Sequence, residues 1–212
     1  MDQPNIFQLD VKKPKLRPTF DLDIAEPTPE PKDTPSSGPS VSGSGPLADK
    51  ADARRRLRDW IGDIESNGDY DKLNGGGKLR GKQPTEMTIR EVMREQLSWR
   101  NWPNSASSAI GKYQFVRDSL NDRKRQINAD VSELFDQSMQ DRLCNKSLEL
   151  RGFNSWWNNT MTDRTFLYHL AGEWASLPDP ATDRSRHGNV ANNKSLIGTQ
   201  ECLAFLRSLK GG

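Results

Sequence analysis

The chain has few apolar residues for its length and no long hydrophobic run. Of its 212 residues, 33% are hydrophobic and 28% are charged, whereas about 45–50% apolar residues, glycine included, is typical of a folded chain. No stretch approaches the roughly 20 apolar residues that a transmembrane helix needs. The first residues, MDQP, lack the basic-then-apolar order of a secretory signal. We therefore expect no membrane span.

Cysteine and histidine are scarce, which argues against a metal-dependent protein. The two cysteines, Cys144 and Cys202, and the two histidines, His169 and His187, form no cluster at metal-ligand spacing. Both cysteines stand among apolar residues in helical patterns, so we expect buried free thiols. We expect neither a metal nor a cofactor.

Large apolar side chains are nearly absent from the first part of the chain. Up to Gly45 the only aromatic residues are Phe7 and Phe20, while all six tryptophans come later. Proline, serine and glycine are frequent instead. Such a segment cannot offset the entropy lost on ordering, which is about 1–2 kcal/mol per residue for the backbone. We predict that residues 1–47 are a disordered tail and linker and that residues 48–212 form one folded domain.

The charge balance favours no particular partner, because the net charge is only +2. Two basic runs, at residues 12–17 and 54–56, could attract nucleic acid or another polyanion. A solvated tail and a solvated helix face are the simpler interpretation. Nucleic acid is therefore not an expected partner.

Helical periodicity dominates residues 48–212. The first helix begins near Asp49 and ends at residues 65–68, where Asn67 and Gly68 supply the left-handed conformations that commonly end helices. Its apolar stripe consists of Leu57, Trp60, Ile61 and Ile64. Further helices are predicted at residues 89–97, 136–150, 163–176 and 196–209. A short helical stretch is also predicted after Phe115 and ends at Leu120. A glycine-rich segment near residues 70–85 predicts a small β wing. The fold class is therefore mainly α, with a minor β part.

Glu65 is the candidate for acid chemistry. A carboxylate near a helix C-terminus faces the negative end of the helix dipole, and the neighbouring apolar residues provide a partly apolar setting. Both effects raise the pKa of a carboxyl group, and glycoside cleavage needs such a group to protonate the leaving oxygen. An exposed helix-end glutamate, which is far commoner, is the alternative when Glu65 is considered alone.

The surrounding motifs carry a resemblance. Residues 65–70 (ESNGDY) resemble the glutamate-serine motif of lytic transglycosylases and phage lysozymes, and residues 107–115 (SSAIGKYQF) resemble the second motif of that superfamily. Residues 85–92, 135–141 and 173–178 are similar to segments of phage members, the last two to lambda-type endolysins, which are transglycosylases. The resemblance covers residues 50–208. It implies a lysozyme-like α+β fold.

The resemblance also implies an activity and a set of site residues. The activity is cleavage of the MurNAc-GlcNAc β-1,4 bond of bacterial peptidoglycan, with Glu65 as general acid and base. Four residues are expected to bind the substrate: Ser66, Gly111, Tyr113 and Gln114. In physical terms, Gly111 lets the backbone approach a ligand, the Tyr113 ring can pack on a sugar face, and the Gln114 amide can bind an N-acetyl or hydroxyl group.

Two reaction routes remain open. A hydrolytic muramidase needs a second carboxylate, for which Asp69 and Asp71 are the candidates. A lytic transglycosylase needs only Glu65, because the muramic 6-hydroxyl attacks and a 1,6-anhydro end forms. The endolysin-like residues 173–178 favour the transglycosylase. The chain departs from that pattern after Pro178, where residues 179–188 contain no tyrosine. Asp183 or His187 could compensate there, but a surface loop is the simpler interpretation.

The role of the aromatic residues is also left open. Phe115 and Trp174 are expected in the core, although Trp174 could instead serve as a sugar platform. Trp99 and Trp102 stand in a polar loop and could line a glycan groove.

The tail suggests a location. A proline-rich arm with a basic patch suits a protein carried in or on a virion, bound to other virion proteins and delivered to the host periplasm. The alternative is an endolysin made in the host cytoplasm and released to the cell wall by a holin. A third possibility is an inactive lysozyme-like module that binds glycan or is a structural part of the virion.

Overall fold

The computed structural model describes residues 49–74, 81–99, 107–188 and 194–211, apart from the side chain of Trp99. These residues contain seven α-helices and one two-stranded sheet. The helices are α1 (Lys50–Ser66), α2 (Ile89–Trp99), α3 (Arg117–Gln126), α4 (Gln137–Leu150), α5 (Phe153–Trp157), α6 (Asp163–Ala171) and α7 (Thr199–Ser208). The strands are β1 (Pro178–Asp179) and β2 (Arg184–Ser185). The mainly helical prediction is confirmed, and the predicted tail lies outside the described residues.

Helix α1 has the predicted ends. The Asp49 side chain accepts a hydrogen bond from the backbone N–H of Ala51 at the N-terminus, and Asn67 and Gly68 have φ angles of 56° and 77° at the other end. The apolar stripe faces the core, with Leu57 and Ile61 fully buried. The position of Glu65 in the last turn of α1 follows directly from these signals.

Two other helices begin at their predicted caps. At α2, the Thr88 hydroxyl and the Glu91 carboxylate form the reciprocal capping box. At α4, the Asp136 carboxylate accepts the N–H of Met139 at 2.8 Å. The prediction of which residues face the core is partly wrong, because Leu97 of α2 and Leu150 of α4 are 44% and 48% exposed.

Helix α6 is shorter than predicted. The 3.6-residue period predicted a helix over 163–176, but α6 ends at Ala171, with Gly172 as its C-cap. The backbone then turns, with the N–H groups of Glu173 and Trp174 both bonded to the carbonyl of Leu170. This early end frees residues 172–177 to form a separate turn, which we call the Ser176 turn.

The small sheet is not where the sequence predicted it. In the described part of residues 70–85 there is only a 3₁₀ turn, Pro84–Glu86, and a single bridge between Leu73 and Ile110. The hydrogen-bonded sheet instead pairs β1 with β2, antiparallel, inside the segment predicted as a polar loop. A minor β part is thus present at residues 178–185, and the centre of the predicted wing, residues 75–80, lies outside the described residues.

One hydrophobic core joins the seven helices. Its aromatic part includes Trp156 and Phe166, whose rings stack with centroids 4.8 Å apart, and Phe153 beside them. Cys144 and Cys202 are buried free thiols, as predicted. None of the helices in the described ranges is long and apolar enough to cross a membrane.

Candidate active site

Glu65 lies in the last turn of α1 with its side chain partly buried. Its Oε1 accepts a hydrogen bond from the hydroxyl of Ser176, a residue 111 positions further along the chain. Burial raises the pKa of the Glu65 carboxyl group, while the hydroxyl and backbone amide of Ser176 lower it by less. Because the net direction is upward, Glu65 keeps its proton to a higher pH than an exposed glutamate does.

A buried ion cluster holds the first half of the Ser176 turn. The Glu173 carboxylate accepts two hydrogen bonds from Arg123 at 2.8 and 2.9 Å and two from Arg151 at 2.5 and 2.9 Å. The Glu173 side chain is only 7% exposed and the Arg123 side chain 10%. Because each charge has a partner, the cluster can fix the turn without leaving an unpaired buried ion.

Two further hydrogen bonds hold the second half of this turn. The indole N–H of Trp174 donates to the carbonyl of Tyr113 at 3.3 Å, and the carbonyl of Ser176 accepts from the N–H of Leu196 at 2.8 Å. Ser176 itself is 5% exposed. The Ser176 hydroxyl is therefore held next to Glu65 from both sides of the turn.

The turn at residues 110–115 is the third segment of this region. The backbone N–H and C=O groups of Ile110 and Phe115 pair with each other at 3.0 and 3.2 Å and close the turn. Trp174 bonds to the Tyr113 carbonyl inside it. The Ser176 turn thus contacts both the Glu65 carboxylate and the turn at 110–115, and we call the end of α1 with these two turns the Glu65 site.

Gly111 is needed for close packing. Its φ is +79°, and a Cβ at this position would overlap the Gln140 side-chain oxygen and lie 3.0 Å from a ring carbon of Phe135. Gln140 also accepts the N–H of Lys112 at 2.9 Å. Gln140 therefore accounts for the glycine, and the predicted binding of a ligand at Gly111 stays a prediction.

Tyr113 is a core residue. It is 1% exposed, and its hydroxyl donates to Asp141 at 2.7 Å. Burial and the nearby negative charge raise the pKa of Tyr113 well above its ordinary value. Since its ring has no open face, the predicted stacking of Tyr113 on a sugar is wrong. Phe115 and Trp174 are 3% exposed and belong to the core, as expected.

Ser66 and Gln114 serve the local backbone. The Ser66 side chain is buried and its hydroxyl donates to the carbonyl of Gly62 within α1 at 2.9 Å. The substrate-binding prediction for Ser66 is therefore wrong. Gln114 is partly exposed with φ 51°, and its amide donates to the carbonyl of Gly111 at 2.8 Å. That bond uses one donor of Gln114, so its binding role stays a prediction.

Asp69 and Asp71 organise the loop after α1. One oxygen of Asp69 accepts the N–H of Asp71 at 2.8 Å, and one oxygen of Asp71 accepts the N–H of Thr85 at 2.9 Å. Within the described residues, neither carboxylate is hydrogen-bonded to Glu65. Both carboxylates accept backbone N–H groups of the loop. Their use as a second carboxylate stays a prediction.

Lys112 is a part of the site that the sequence reasoning missed. Its side chain is buried against Gly62, where a Cβ would lie 2.6 Å from the Lys112 Cγ. Its ammonium group pairs with Asp59 at 3.0 Å. A glycine inside an amphipathic helix, three residues before Glu65, was the available signal, because such a glycine often marks a close approach.

Asp141 was also missed as an organiser of the site. It accepts hydrogen bonds from the hydroxyls of Tyr70 and Tyr113 at 2.9 and 2.7 Å, and its other oxygen pairs with Arg58 at 3.1 Å. These contacts connect α1, the loop after it, the turn at 110–115 and α4. Asp141 therefore fixes the framework behind Glu65.

The remaining candidates lie elsewhere. Asp183 is exposed and caps α7 by accepting the N–H of Thr199 at 2.7 Å, and His187 is partly buried. The Trp99 side chain and Trp102 lie outside the described residues.

The described ranges contain no group of three or more histidine, cysteine, aspartate or glutamate side chains that could hold a metal ion. No protein-family model, no curated protein and no solved structure matches this chain. The lysozyme-like family assignment therefore remains a prediction that rests on the motifs quoted above.

Proposed function

We propose that the protein cleaves the MurNAc-GlcNAc β-1,4 bond of bacterial peptidoglycan as a lytic transglycosylase, with Glu65 as general acid and then general base. The observation that carries the proposal is the partly buried Glu65 carboxyl group, with a raised pKa and a hydrogen bond from Ser176. A partly buried carboxyl group that holds its proton to a higher pH than an exposed glutamate, while keeping some access to solvent, is suited to protonate a leaving oxygen.

The proposed reaction needs only this one carboxyl group. Glu65 gives its proton to the glycosidic oxygen as the bond from that oxygen to muramic C1 breaks. The muramic 6-hydroxyl oxygen then bonds to C1, and its proton returns to the Glu65 carboxylate. The product is a 1,6-anhydro-muramic end, and no water is consumed.

The hydrolytic route receives less support from the site. A muramidase would use Asp69 or Asp71 as nucleophile or base. Both carboxylates hold backbone N–H groups of the loop after α1, and no hydrogen bond in the described residues joins either of them to Glu65. This is why we favour the route that depends on Glu65 alone.

Digestion of bacterial sacculi tests the proposal. Mass spectrometry of the released fragments distinguishes anhydro-muramic ends, which we expect, from the reducing ends that a muramidase leaves. Glu65→Gln should lower the rate about 10²–10⁴-fold, the usual contribution of a general acid. Glu149→Gln is the matched control, because Glu149 also occupies the last position but one of a helix yet is exposed.

Each result has a defined meaning. Full activity of Glu65→Gln would refute Glu65 as the acid. Reducing ends would mean that the protein is a muramidase and not a transglycosylase. Absence of any product from the wild-type protein would favour an inactive module that binds glycan or has a structural role.

The location is a separate proposal that rests on the composition of residues 1–47. A virion-associated enzyme, bound to other virion proteins through this segment and delivered to the host periplasm, would be present in purified particles. Absence from the particles by mass spectrometry would favour the endolysin alternative, released from the host cytoplasm by a holin.

A further inference from the structure

The two oxygens of the Glu65 carboxyl group are not equivalent. Oε1 accepts the hydrogen bond from the Ser176 hydroxyl. The Ser176 hydroxyl thus donates to one oxygen only, and an oxygen that accepts a donor is the less suitable place for a proton.

We propose that Ser176 is a positioning residue that keeps Oε1 of Glu65 as a hydrogen-bond acceptor and so makes Oε2 the oxygen that gives and takes the proton. The inference rests on the proposed function and adds the group that orients its acid. Ser176 does not exchange its own proton in the reaction. Its hydroxyl hydrogen remains on Ser176 while Oε2 passes one proton to the glycosidic oxygen and receives one from the 6-hydroxyl.

The position of Ser176 is fixed independently of Glu65. Its carbonyl is bonded to the N–H of Leu196, and the turn that carries it is held by Glu173 with Arg123 and Arg151. A serine held in this way does not need the glutamate to order it. The donor is therefore in place before substrate binds, which is the arrangement that favours an orienting role.

Ser176 also balances two opposed demands on Glu65. Burial alone raises the pKa of the carboxyl group and favours the acid form, whereas the second half of the reaction needs the ionised form as a base. A hydrogen bond to the charged form lowers the pKa again. With both effects present, Glu65 can hold a proton and also release it.

The charged groups of the same three segments are engaged elsewhere. Lys112, on the turn at 110–115, pairs with Asp59, and Glu173, on the Ser176 turn, pairs with Arg123 and Arg151. On α1 itself, Asp63 is exposed. Burial raises the pKa of Glu65 and hydrogen bonding to Ser176 opposes that rise, so Ser176 is the group to change.

The test compares Ser176→Ala and Ser176→Thr with the control Ser66→Ala. Both serines are buried next to Glu65, but the Ser66 hydroxyl is bonded to the carbonyl of Gly62. The titration of Glu65 is followed by nuclear magnetic resonance with carbon-13 in the glutamate side chains, and its signal is assigned by its loss in Glu65→Gln. The pH dependence of kcat on sacculi is measured in parallel, with thermal unfolding as a check on folding.

We expect Ser176→Ala to lower the acid dissociation constant of Glu65 about tenfold, the effect of losing one hydrogen bond to a charged group. The fall of kcat on the alkaline side should move to higher pH by the same amount, because the acid form persists further. Ser176→Thr keeps the hydroxyl and should restore both curves towards the wild type. Ser66→Ala should leave the Glu65 titration and the pH dependence of kcat unchanged.

Two results would overturn the inference. One is a Glu65 titration in Ser176→Ala that is unchanged or moves to lower pH. The other is a shifted titration with an unshifted kcat profile, which would mean that the hydrogen bond has no part in the reaction. The titration does not depend on activity, and failure of the proposed function is recognised separately by full activity of Glu65→Gln.

Discussion

The C-terminal ends of α1 and α4 carry two glutamates in equivalent places. Glu65 is the last residue but one of α1, and Glu149 is the last residue but one of α4. Both face the negative end of a helix dipole. Glu149 is exposed and its carboxylate pairs with Lys146 at 3.2 Å, whereas Glu65 is partly buried and accepts the hydroxyl of Ser176.

The difference shows which physical effect produces a candidate acid. A helix end contributes about 0.3–1 kcal/mol at an exposed site, and both glutamates experience it. Glu65 is in contact with the Ser176 turn, and burial is the largest cause of its raised pKa. The tertiary surroundings of Glu65, rather than its place in a helix, therefore distinguish it from Glu149.

The largest effect should come from removing the ion cluster that holds the Ser176 turn. Glu173→Gln leaves Arg123 buried without its carboxylate partner, and loss of one partner of a buried pair costs about 3–5 kcal/mol. Urea unfolding measures the free energy of unfolding. Glu149→Gln breaks only the surface pair with Lys146 and should cost less than about 1 kcal/mol. Equal losses in the two variants would refute the structural role of the cluster.

A smaller effect should come from the close contact between α1 and Lys112. Gly62→Ala places a methyl group 2.6 Å from the Lys112 Cγ, and overpacking of this kind costs about 1–3 kcal/mol. Gly198→Ala is the control, because a Cβ at Gly198 meets nothing within 4 Å. Thermal unfolding should show a lower Tm for Gly62→Ala than for Gly198→Ala. A tolerated Gly62→Ala would mean that Lys112 can leave its buried position freely.

The smallest effect concerns Glu65 itself and depends on pH. Because the folded-state pKa of Glu65 is raised, the folded state loses stability as pH rises from the unfolded-state pKa towards the folded-state pKa. Glu65→Gln removes this cost, so it should stabilise the protein at pH 7. The gain should disappear at pH 3. Urea unfolding at the two pH values measures it, and a gain of the same size at both would contradict a raised pKa.

Local signals were sufficient for much of the helical framework. Asp49, the pair Thr88 and Glu91, and Asp136 begin their helices as predicted because capping depends on residues within one turn. The predicted place of Glu65 on α1 is correct for the same reason. Helix α3 continues to Gln126, beyond the predicted end at Leu120. Its last residues are polar, so they carry no apolar period from which the longer helix could be predicted.

The site could not be assembled from such signals. The hydrogen bond between Glu65 and Ser176 joins residues 111 positions apart, and no local pattern encodes it. The burial of Tyr113 depends on Asp141, which belongs to α4. In the turn that follows the early end of α6, Glu173 binds two arginines from other segments. Local signals could not show contacts of this kind between distant segments.

The carbon-13 titration of Glu65 in the wild-type protein tests the central claim most directly. A glutamate held protonated by its surroundings should titrate above about 4.3, the ordinary value for an exposed side chain, and its signal should be missing from Glu65→Gln. A Glu65 that titrates at or below that value would contradict the claim that its surroundings favour the protonated form, on which its role as a proton donor depends.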